Sequence, residues 1–489
     1  MSGDVLIRKQ KIRITTSSEK LAFECRQFDY QSLTADLNKT YENLFYQSTQ
    51  SDQYLIIDSL KVDLGVISTH DFKHHFFDLL EEKLITELKH QFETVADPTN
   101  FKEASRKKAE TTRQPDSIIY ATQNEQNNQA LFVFLQSGIF PWWYQKKNGK
   151  TPAELLSDFS SDERTNFLVS LIAKARSLPT EVVKQIIKRL LIQLKEAAYQ
   201  NYLTELSKLF SETFLQSNVQ TLIDQKLNLT NLFAISLRDF YEQAVVCVLF
   251  KNDHSDFLKS FLMQLQQSFS ITTDQLHERV KEHPIPNLSM ESLFYPNKKI
   301  DEDKMISSSS FSIHKSTKPI EPDEVLYVSN AGLVILHPFL SSFFKGLDLL
   351  DDENQFTSAE TQIKAAVLLY YLQCGLEEYK EWEMPLNKIL CGMATDELIP
   401  DDIIISEHEK NECNSLLQSV IEYWTALKGA SIEALQTTFI TREGKIVFKE
   451  NHWLIQVERT GVDILLDRLP WGIGTIKLPW LKALIYIEW

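Results

Sequence analysis

Three histidines in the segment HDFKHH are the first side chains whose types and spacing suggest a metal site. His70 and His74 lie four residues apart in a predicted helix, a spacing that can bind zinc. A zinc protease of the HExxH type needs a glutamate directly after the first histidine, but Asp71 occupies that position. No third ligand is indicated. We therefore interpret the segment as a solvated helix face and predict no metal site.

The other candidate catalytic groups are isolated in the sequence. Asp463 and Asp467 in DILLD are four residues apart, but no neighbour predicts the raised pKa that a general acid needs. Cys391 in KILCG has no predictable histidine partner. The motifs GxSxG, GxxxxGKS/T and GxGxxG are absent. We predict no catalytic residue and no cofactor. An enzyme whose site is assembled from distant residues remains the alternative from another functional class.

Tryptophans next to prolines are the most informative side chains. Six of the eight tryptophans lie from Trp382 onward, and the tripeptide LPW occurs twice. Proline fixes its own backbone φ and so restricts the direction of the next ring. One Pro–Trp step is typical of a core aromatic at a turn, whereas several favour a rigid docking surface. The predicted interaction residues are Pro141, Trp142, Trp143, His337, Pro338, Trp424, Pro470, Trp471, Pro479, Trp480 and Trp489.

Composition excludes several classes of protein. The 489 residues are 43% hydrophobic and 24% charged, as in folded globular proteins. The net charge of −16 disfavours nucleic acid and anionic membranes as partners. The 13 glycines are few for phosphate-binding loops or a doubly wound nucleotide fold.

Cysteine usage and the first residues bear on the compartment. Five widely spaced cysteines without a CxxC pair argue against a disulfide framework and favour reduced, mostly buried thiols. The start MSGDVLIRKQKIRI lacks an apolar signal-peptide core, and no run of 18 apolar residues occurs. We expect a protein that assembles in the cytoplasm without a signal peptide or membrane insertion.

The elements that must position these side chains follow from hydrophobic periodicity. Alternation predicts strands in LIRKQKIRIT and at Leu60–Leu64, with a turn at Gly65, and helical stripes predict helices at 18–46 and 70–92. Further helices are predicted at 167–174, 181–194, 198–214, 219–233, 237–250 and 256–269. After 325, a strand, helices at 333–344, 360–372, 407–427 and 432–439, and a β-hairpin turning at Glu450–Asn451 are predicted.

These patterns predict an α+β, predominantly helical fold in five parts. An N-terminal α+β module spans 1–96, a polar linker or loop 97–128, and a helical middle domain 129–294. A disordered linker at 295–324, with four consecutive serines, precedes a C-terminal α+β domain at 325–489 that carries the Pro–Trp steps.

The same stretches resemble the contractile injection system tape measure family. The resemblance is carried by NAGLVILHPFLSSFFKGLDLL, KAAVLLYYLQCG, PLNKILCGM, LLQSVIEYWTALKGASIEALQTTFITREGKI and DILLDRLPWGIGTIKLPWLKALIYIEW. IRKQKIRI, SLKVDLG and FLQSGIFPWW are similar to the family's N-terminal and middle motifs. The motifs follow in order from about residue 5 to Trp489. The chain is short for the family.

The resemblance implies a structural protein of a phage-tail-like contractile particle, with inner-tube and baseplate or hub proteins as partners. A fully helical chain of this length would span at most roughly 730 Å. The mixed modules and the linkers favour a compact assembly factor, or a ruler with globular ends and a modest stretched middle, over a pure rod. Either would set or initiate inner-tube assembly by non-covalent docking. A baseplate or tube-end chaperone that does not stay in the particle is the alternative, and a homo-oligomer is left open.

Overall fold

The computed structural model describes residues 13, 15–16, 18–26, 53–57, 60–68, 75–95, 118–144, 149–210, 213–250, 257–272, 274–275, 278–279 and 325–489. The chain divides into two compact units, Met1–Gln129 and Ala130–Trp489. We call them the N-terminal unit and the C-terminal unit. The finer boundaries at 96, 294 and 324 stay predictions.

The described residues of the N-terminal unit include two complete helices, a two-stranded sheet and the start of a third helix. Its described elements are α1 (Glu19–Arg26), β1 (Gln53–Ile57), α2 (Phe76–Val95) and β2 (Ile118–Thr122). β1 and β2 pair antiparallel, with Gln53 opposite Thr122. α1 lies within the helix predicted at 18–46, and α2 overlaps the helix predicted at 70–92 but ends at Val95. Nearly all of the first predicted strand, and both His70 and His74, lie outside the described residues.

The strand predicted at Leu60–Leu64 is wrong in its position. Side chains there do alternate between half-buried and exposed, as the sequence pattern indicates. Nevertheless, residues 60–64 have no ladder partner among the described residues, and the strand of this stretch lies earlier, at β1. Alternation reports which face is covered, whereas a strand also needs a partner for its backbone hydrogen bonds. Gly65 makes the expected turn with φ +68°.

The described residues from Gln123 to Ser268 are mostly helical. The helices are α3 (Gln123–Ser137), α4 (Pro152–Ser157), α5 (Ser161–Ser177), α6 (Thr180–Gln193), α7 (Glu196–Lys208), α8 (Thr213–Asp224), α9 (Lys226–Phe233), α10 (Leu237–Phe250) and α11 (Phe257–Ser268). The six helices predicted here are confirmed in type. At 118–128, where the sequence favours a linker, the structure has β2 and the start of α3.

Helix starts and apolar stripes explain why these residues fold as they do. Thr151 and Ser160 cap α4 and α5 in reciprocal capping boxes with Glu154 and Glu163. Buried side chains of residues 130–271 then pack together in what we call the helical core. One stripe of α6 shows the pattern, since its residues 183, 186, 187, 190 and 191 are all buried apolar side chains.

Residues 325–489 combine helices with a five-stranded sheet. The α-helices are α12 (His337–Gly346), α13 (Ala359–Cys374), α14 (Pro385–Leu390), α15 (Glu407–Tyr423) and α16 (Ile432–Leu435). The 3₁₀ helices are Ala331–Leu336, Glu381–Glu383, Thr425–Leu427 and Gly461–Arg468, and Gln436–Ile440 is a π-helix. The strands are β3 (Val325–Val328), β4 (Gly444–Lys449), β5 (His452–Val457), β6 (Thr475–Ile476) and β7 (Ile485–Glu488).

The sheet has the order β3-β4-β5-β7-β6. β4 and β5 form the predicted hairpin, with Glu450 and Asn451 at positive φ in its turn. The last strand, β7, pairs parallel with β5 and antiparallel with β6. The sheet and the surrounding helices enclose a second set of buried side chains, the C-terminal core. The α+β, predominantly helical fold class is confirmed.

One close backbone approach inside the C-terminal core requires glycine. A Cβ atom at Gly332 would lie 1.6 Å from the main-chain oxygen of Phe439. The 3₁₀ helix at Ala331–Leu336 therefore packs directly on the backbone of the π-helix at Gln436–Ile440. This contact accounts for the glycine in the NAG motif of a chain that has few glycines.

Candidate functional site

The helical core and the C-terminal core meet within the C-terminal unit and exchange side chains. Trp382, between β3 and α14 in the sequence, packs against the helical core. Its ring is edge-on to Phe134 at 5.7 Å and to Phe140 at 6.0 Å between centroids. In return, Ile139 is buried in the C-terminal core. The two cores therefore interlock through one large side chain from each side.

A buried ion pair lies at this junction. Arg189 of α6 is fully buried, and Glu381 is 8% exposed at its side chain. The guanidinium donates from Nε to both carboxylate oxygens at 3.2 and 3.0 Å, and from Nη2 to Oε1 at 3.0 Å. A fork of this kind fixes the direction of both partners as well as their distance.

A second buried cation shares the same carboxylate. Lys388 of α14 is fully buried and lies 2.9 Å from Glu381 Oε1. Burial alone would raise the pKa of Glu381, but Lys388 and Arg189 hold it below its usual value. Burial lowers the pKa of Lys388, against the attraction of Glu381. The cluster we call the buried triad thus holds two basic groups and one carboxylate.

Main-chain carbonyls balance the extra positive charge. Arg189 Nη1 donates to the carbonyl oxygens of Leu135 and Gln136 at 3.1 and 3.0 Å, at the C-terminal end of α3. That end of a helix carries partial negative charge. Arg189 Nη2 also donates to the main-chain carbonyl oxygen of Asp396 at 2.6 Å. Lys388 Nζ donates to the main-chain carbonyl oxygen of Thr395 at 3.1 Å. These carbonyl oxygens satisfy the remaining hydrogen bonds of the two cations without a second carboxylate in contact.

Gly138 allows α3 to end against the triad. Its φ is +73°, a conformation that glycine adopts at little cost. A Cβ atom at this position would lie 2.4 Å from Glu381 Oε1. The glycine of the FLQSGIFPWW motif thus fits the buried carboxylate by having no side chain.

A second ion pair ties the same two parts of the unit at the surface. The guanidinium of Arg238, in α10, forms a fork with the carboxylate of Asp401, with Nη2 2.9 Å from Oδ2. Both side chains are partly exposed. Surface pairs contribute little to stability, so this contact mainly helps to orient the two parts.

The predicted interaction residues of the helical middle lie in the turn that follows α3. Pro141, Trp142 and Trp143 are all half-buried. The Pro141 oxygen accepts a hydrogen bond from the backbone nitrogen of Tyr144 at 2.9 Å. Trp143 packs against the helical core. This Pro–Trp step therefore closes a turn next to the junction, and a docking role for it stays a prediction.

The C-terminal tryptophans in the predicted set each donate an indole hydrogen bond within the unit. Trp424 is fully buried and donates to the Leu465 oxygen at 3.2 Å. Half-buried Trp471 and Trp480 donate to the oxygens of Ile335 and Leu390, at 3.0 and 2.8 Å. Trp489 donates to Asp463 Oδ2 at 3.2 Å. These rings are anchored by packing and by one hydrogen bond each.

The remaining predicted residues are prolines and one histidine at helix or turn positions. Pro338, Pro470 and Pro479 are exposed. Pro479 offers its carbonyl oxygen to Gln355 at 3.2 Å. His337 is half-buried with Nδ1 3.0 Å from the Val334 oxygen, and burial lowers its pKa.

Some predicted residues come together in one exposed aromatic cluster. Phe339 lies 5.1 Å from Trp471 and 6.1 Å from Tyr423 between ring centroids. Tyr423 is 66% exposed, and Phe339 and Trp471 are half-buried. We call these three rings, with the exposed Pro338 and Pro470, the aromatic surface. Other predicted residues lie elsewhere in the chain, and among the described residues they make no ring contact with this surface: Pro141–Trp143, Pro479–Trp480 and Trp489.

The isolated catalytic candidates are respectively buried, ion-paired and exposed: Cys391, Asp463 and Asp467. Cys391 is fully buried, and burial raises the pKa of its thiol well above the ordinary value. A thiol with a raised pKa is a poor nucleophile. Asp463 accepts hydrogen bonds from Arg442 Nη2 at 2.8 and 2.9 Å, while Asp467 is exposed. Within the described part of the chain, no group of three potential metal ligands is gathered, and no helix has the length and apolarity to cross a membrane.

The sequence analysis missed the buried triad. Arg189 and Glu381 are 192 residues apart, so no local motif joins them. One signal was present, because Arg189 stands among the buried residues Ile186, Ile187, Leu190 and Leu191 of an otherwise apolar helix face. An arginine at a core position needs a buried acid, since an unpaired charge there is costly.

Comparison with known proteins gives one match. The family model described as contractile injection system tape measure protein matches residues 4–489. The search of curated proteins and the search of solved structures each found no match.

Proposed function

The chain belongs to the contractile injection system tape measure protein family, and from that membership we propose that it initiates or sets inner-tube assembly by non-covalent docking. The family match covers residues 4–489 and assigns the chain a structural role in a contractile injection system. The docking mechanism is our extension of that assignment.

The buried junction is the observation that supports a folded docking factor over a stretched ruler. A ruler must be extended, whereas residues 130–489 form one compact unit whose two cores share the buried triad. By the scaling for compact domains, 360 residues have a radius of gyration of about 21 Å. Extending the unit would expose two buried cations and a carboxylate. We therefore propose that the C-terminal unit works in its folded state.

The aromatic surface is the proposed docking site for a baseplate or hub component. Tyrosine and tryptophan bury a large area with few rotatable bonds, which favours them in the centre of interfaces. Here Phe339 and Trp471 pack against the C-terminal core, and Trp471 also donates a hydrogen bond to the Ile335 oxygen. Tyr423 is mostly exposed. The helical middle is left to engage tube subunits.

Replacing Tyr423 by serine tests this docking site. Particles would be produced from the complete particle gene set carrying Tyr423→Ser, then counted and measured by electron microscopy. We expect several-fold fewer particles with an unchanged modal length, because docking fails before the tube grows. Tyr486→Ser is the matched control, since Tyr486 is a 38% exposed tyrosine outside the surface. Equal particle numbers for Tyr423→Ser and wild type, or a shifted length, would reject the site.

A departing chaperone is the second candidate, and the compact C-terminal unit also favours it over a ruler. Quantitative mass spectrometry of purified particles separates the two. A resident initiator is present in a fixed small number of copies per particle. A chaperone is absent from finished particles yet still required for their yield.

A further inference from the structure

Ile404 is an exposed apolar residue in a segment whose backbone is fixed by hydrogen bonds. It is 82% exposed, the highest value for a large hydrophobic residue in the described part of the C-terminal unit. Its neighbour Ile405 is buried, so the extended segment points alternate side chains in and out. Lys364 Nζ donates to the Ile404 oxygen at 2.6 Å, and the Ile403 nitrogen donates to Tyr379 Oη at 3.1 Å. Ile404 therefore projects from a fixed position.

A second exposed apolar side chain belongs to the segment beside it. Leu376, just after the C-cap Gly375 of α13, is 54% exposed. Tyr379, three residues later, donates through its hydroxyl to the Pro400 oxygen, which holds the two segments together. Lys410 adds a further tie, with Nζ 2.7 Å from both Glu377 and Glu407. We call Leu376, Glu378, Asp402 and Ile404 the acidic apolar surface.

The chain segment that carries this surface is strongly negative. Residues 348–412 contain 16 Asp and Glu but only four Lys and no Arg, a net charge of −12 out of −16 for the chain. Each of those four lysines already contacts a carboxylate. Glu378 and Asp402 are exposed and have no ion-pair partner among the described residues. The surface thus combines apolar anchors with surplus negative charge.

We propose that the acidic apolar surface binds a basic amphipathic polypeptide segment of a partner protein. Apolar side chains of the segment would cover Leu376 and Ile404, while its Lys and Arg would face Glu378 and Asp402. Negative charge excludes a phosphate backbone and an anionic lipid surface as occupants, because both repel it. This proposal rests on the docking function above and adds the chemistry of one partner. The site is separate in sequence from the aromatic surface.

A peptide-binding experiment on the full chain tests the proposal. The probe is a labelled 18-residue amphipathic helix of Leu and Lys, and fluorescence anisotropy measures its Kd. Two comparison peptides are a scrambled sequence of the same composition and a Leu/Glu version. We expect only the amphipathic basic peptide to bind, with affinity falling as salt rises. Hydrogen exchange should show protection at 375–380 and 400–407.

Matched variants separate this surface from general attraction to an acidic protein. Ile404→Ser should weaken binding about tenfold, or about 1.4 kcal/mol, because the variant loses the apolar area that the peptide buries. The double variant Glu378→Gln/Asp402→Asn should weaken it several-fold and reduce its salt dependence. Ile464→Ser and Glu450→Gln/Asp467→Asn are the controls, since they remove an equally exposed isoleucine and two exposed charges elsewhere. Both controls should bind like wild type.

Three results would overturn the proposal. They are wild-type affinity for Ile404→Ser, equal losses in the control variants, and equal binding of the scrambled peptide. All substituted side chains are exposed, so thermal melts should show that each variant folds. The assay contains no particle, and so its outcome is independent of whether Tyr423→Ser changes particle number.

Discussion

The carboxylate of Glu381 joins three separate parts of the junction. It accepts from Arg189 and Lys388 and also from the Ile399 nitrogen at 3.4 Å. Replacing a buried pair by apolar residues is often neutral, whereas removing one partner leaves the other charge stranded. The triad therefore makes the relative position of the two cores specific, because only one arrangement satisfies all three charges.

Glu381→Gln should be strongly destabilising. The substitution leaves Arg189 and Lys388 buried beside a neutral amide, and we expect the free energy of unfolding to fall by about 3–5 kcal/mol. Urea unfolding followed by circular dichroism measures this loss. Glu378→Gln is the control at an exposed carboxylate, with an expected change within about 0.5 kcal/mol. Equal losses of unfolding free energy in the two variants would contradict the claim that Glu381 neutralises two buried cations.

Glu242 should make the free energy of unfolding depend on pH. Burial raises its pKa from 4.5 to about 7, although Lys188 lies 3.8 Å away. The folded state therefore binds more protons than the unfolded state between pH 4.5 and 7. The stability that protonated Glu242 contributes is complete below pH 4.5 and is lost as the pH rises through 7. Glu242→Gln should raise the free energy of unfolding at pH 8 by about 3 kcal/mol and give a much smaller gain at pH 5. Urea unfolding at both pH values checks it; an equal gain at both would contradict the assignment.

At the scale of elements, the junction couples two sets of helices that have separate cores. The α3 end, α6 and the loop around Asp396 converge on one guanidinium. Trp382 adds apolar contact with Phe134 and Phe140 on the same side. We therefore expect the helical core and the C-terminal core to unfold together.

Trp382→Ala should weaken that coupling. Truncating a large aromatic between packed elements costs about 3–5 kcal/mol. Differential scanning calorimetry of wild type should show residues 130–489 unfolding in one transition, and the variant should split it into two. Trp453→Ala is a useful comparison, since Trp453 packs against the C-terminal core alone. A single transition in Trp382→Ala at wild-type temperature would refute the coupling.

Local patterns predicted the elements better than their partners. Helices such as α10 (Leu237–Phe250) and the hairpin of β4 and β5 follow from periodicity and turn residues, which act over a few positions. Leu60–Leu64 shows the limit, since its alternation is real but its predicted ladder is missing among the described residues. The parallel pairing of β5 with β7 depends on contacts about 30 residues apart, which no local pattern encodes.

The candidate site was predictable only in part for the same reason. Pro–Trp steps drew attention to Trp471, which the structure places beside Phe339 and Tyr423. The sequence indicated neither that each indole would be anchored by its own hydrogen bond nor that Arg189 would meet Glu381. Long-range pairs of this kind become visible only in the folded chain.

For the whole molecule, the central question is whether length or folded shape carries the function. The family name suggests a ruler. A fully helical chain of 489 residues would span at most roughly 730 Å. The compact C-terminal unit argues for an initiator that acts folded. In our proposal, other components set particle length and this chain determines how many particles start.

The most direct measurement is the particle length distribution after inserting residues. A 30-residue Gly/Ser segment after Ser308 lies in the polar stretch between the matched motifs. A ruler would lengthen the particle by about 45 Å if the insert were helical and by up to ~100 Å if extended. The same segment added before Met1 is the control. We predict an unchanged modal length by electron microscopy for both; a lengthening of this size with the internal insert alone would contradict the account.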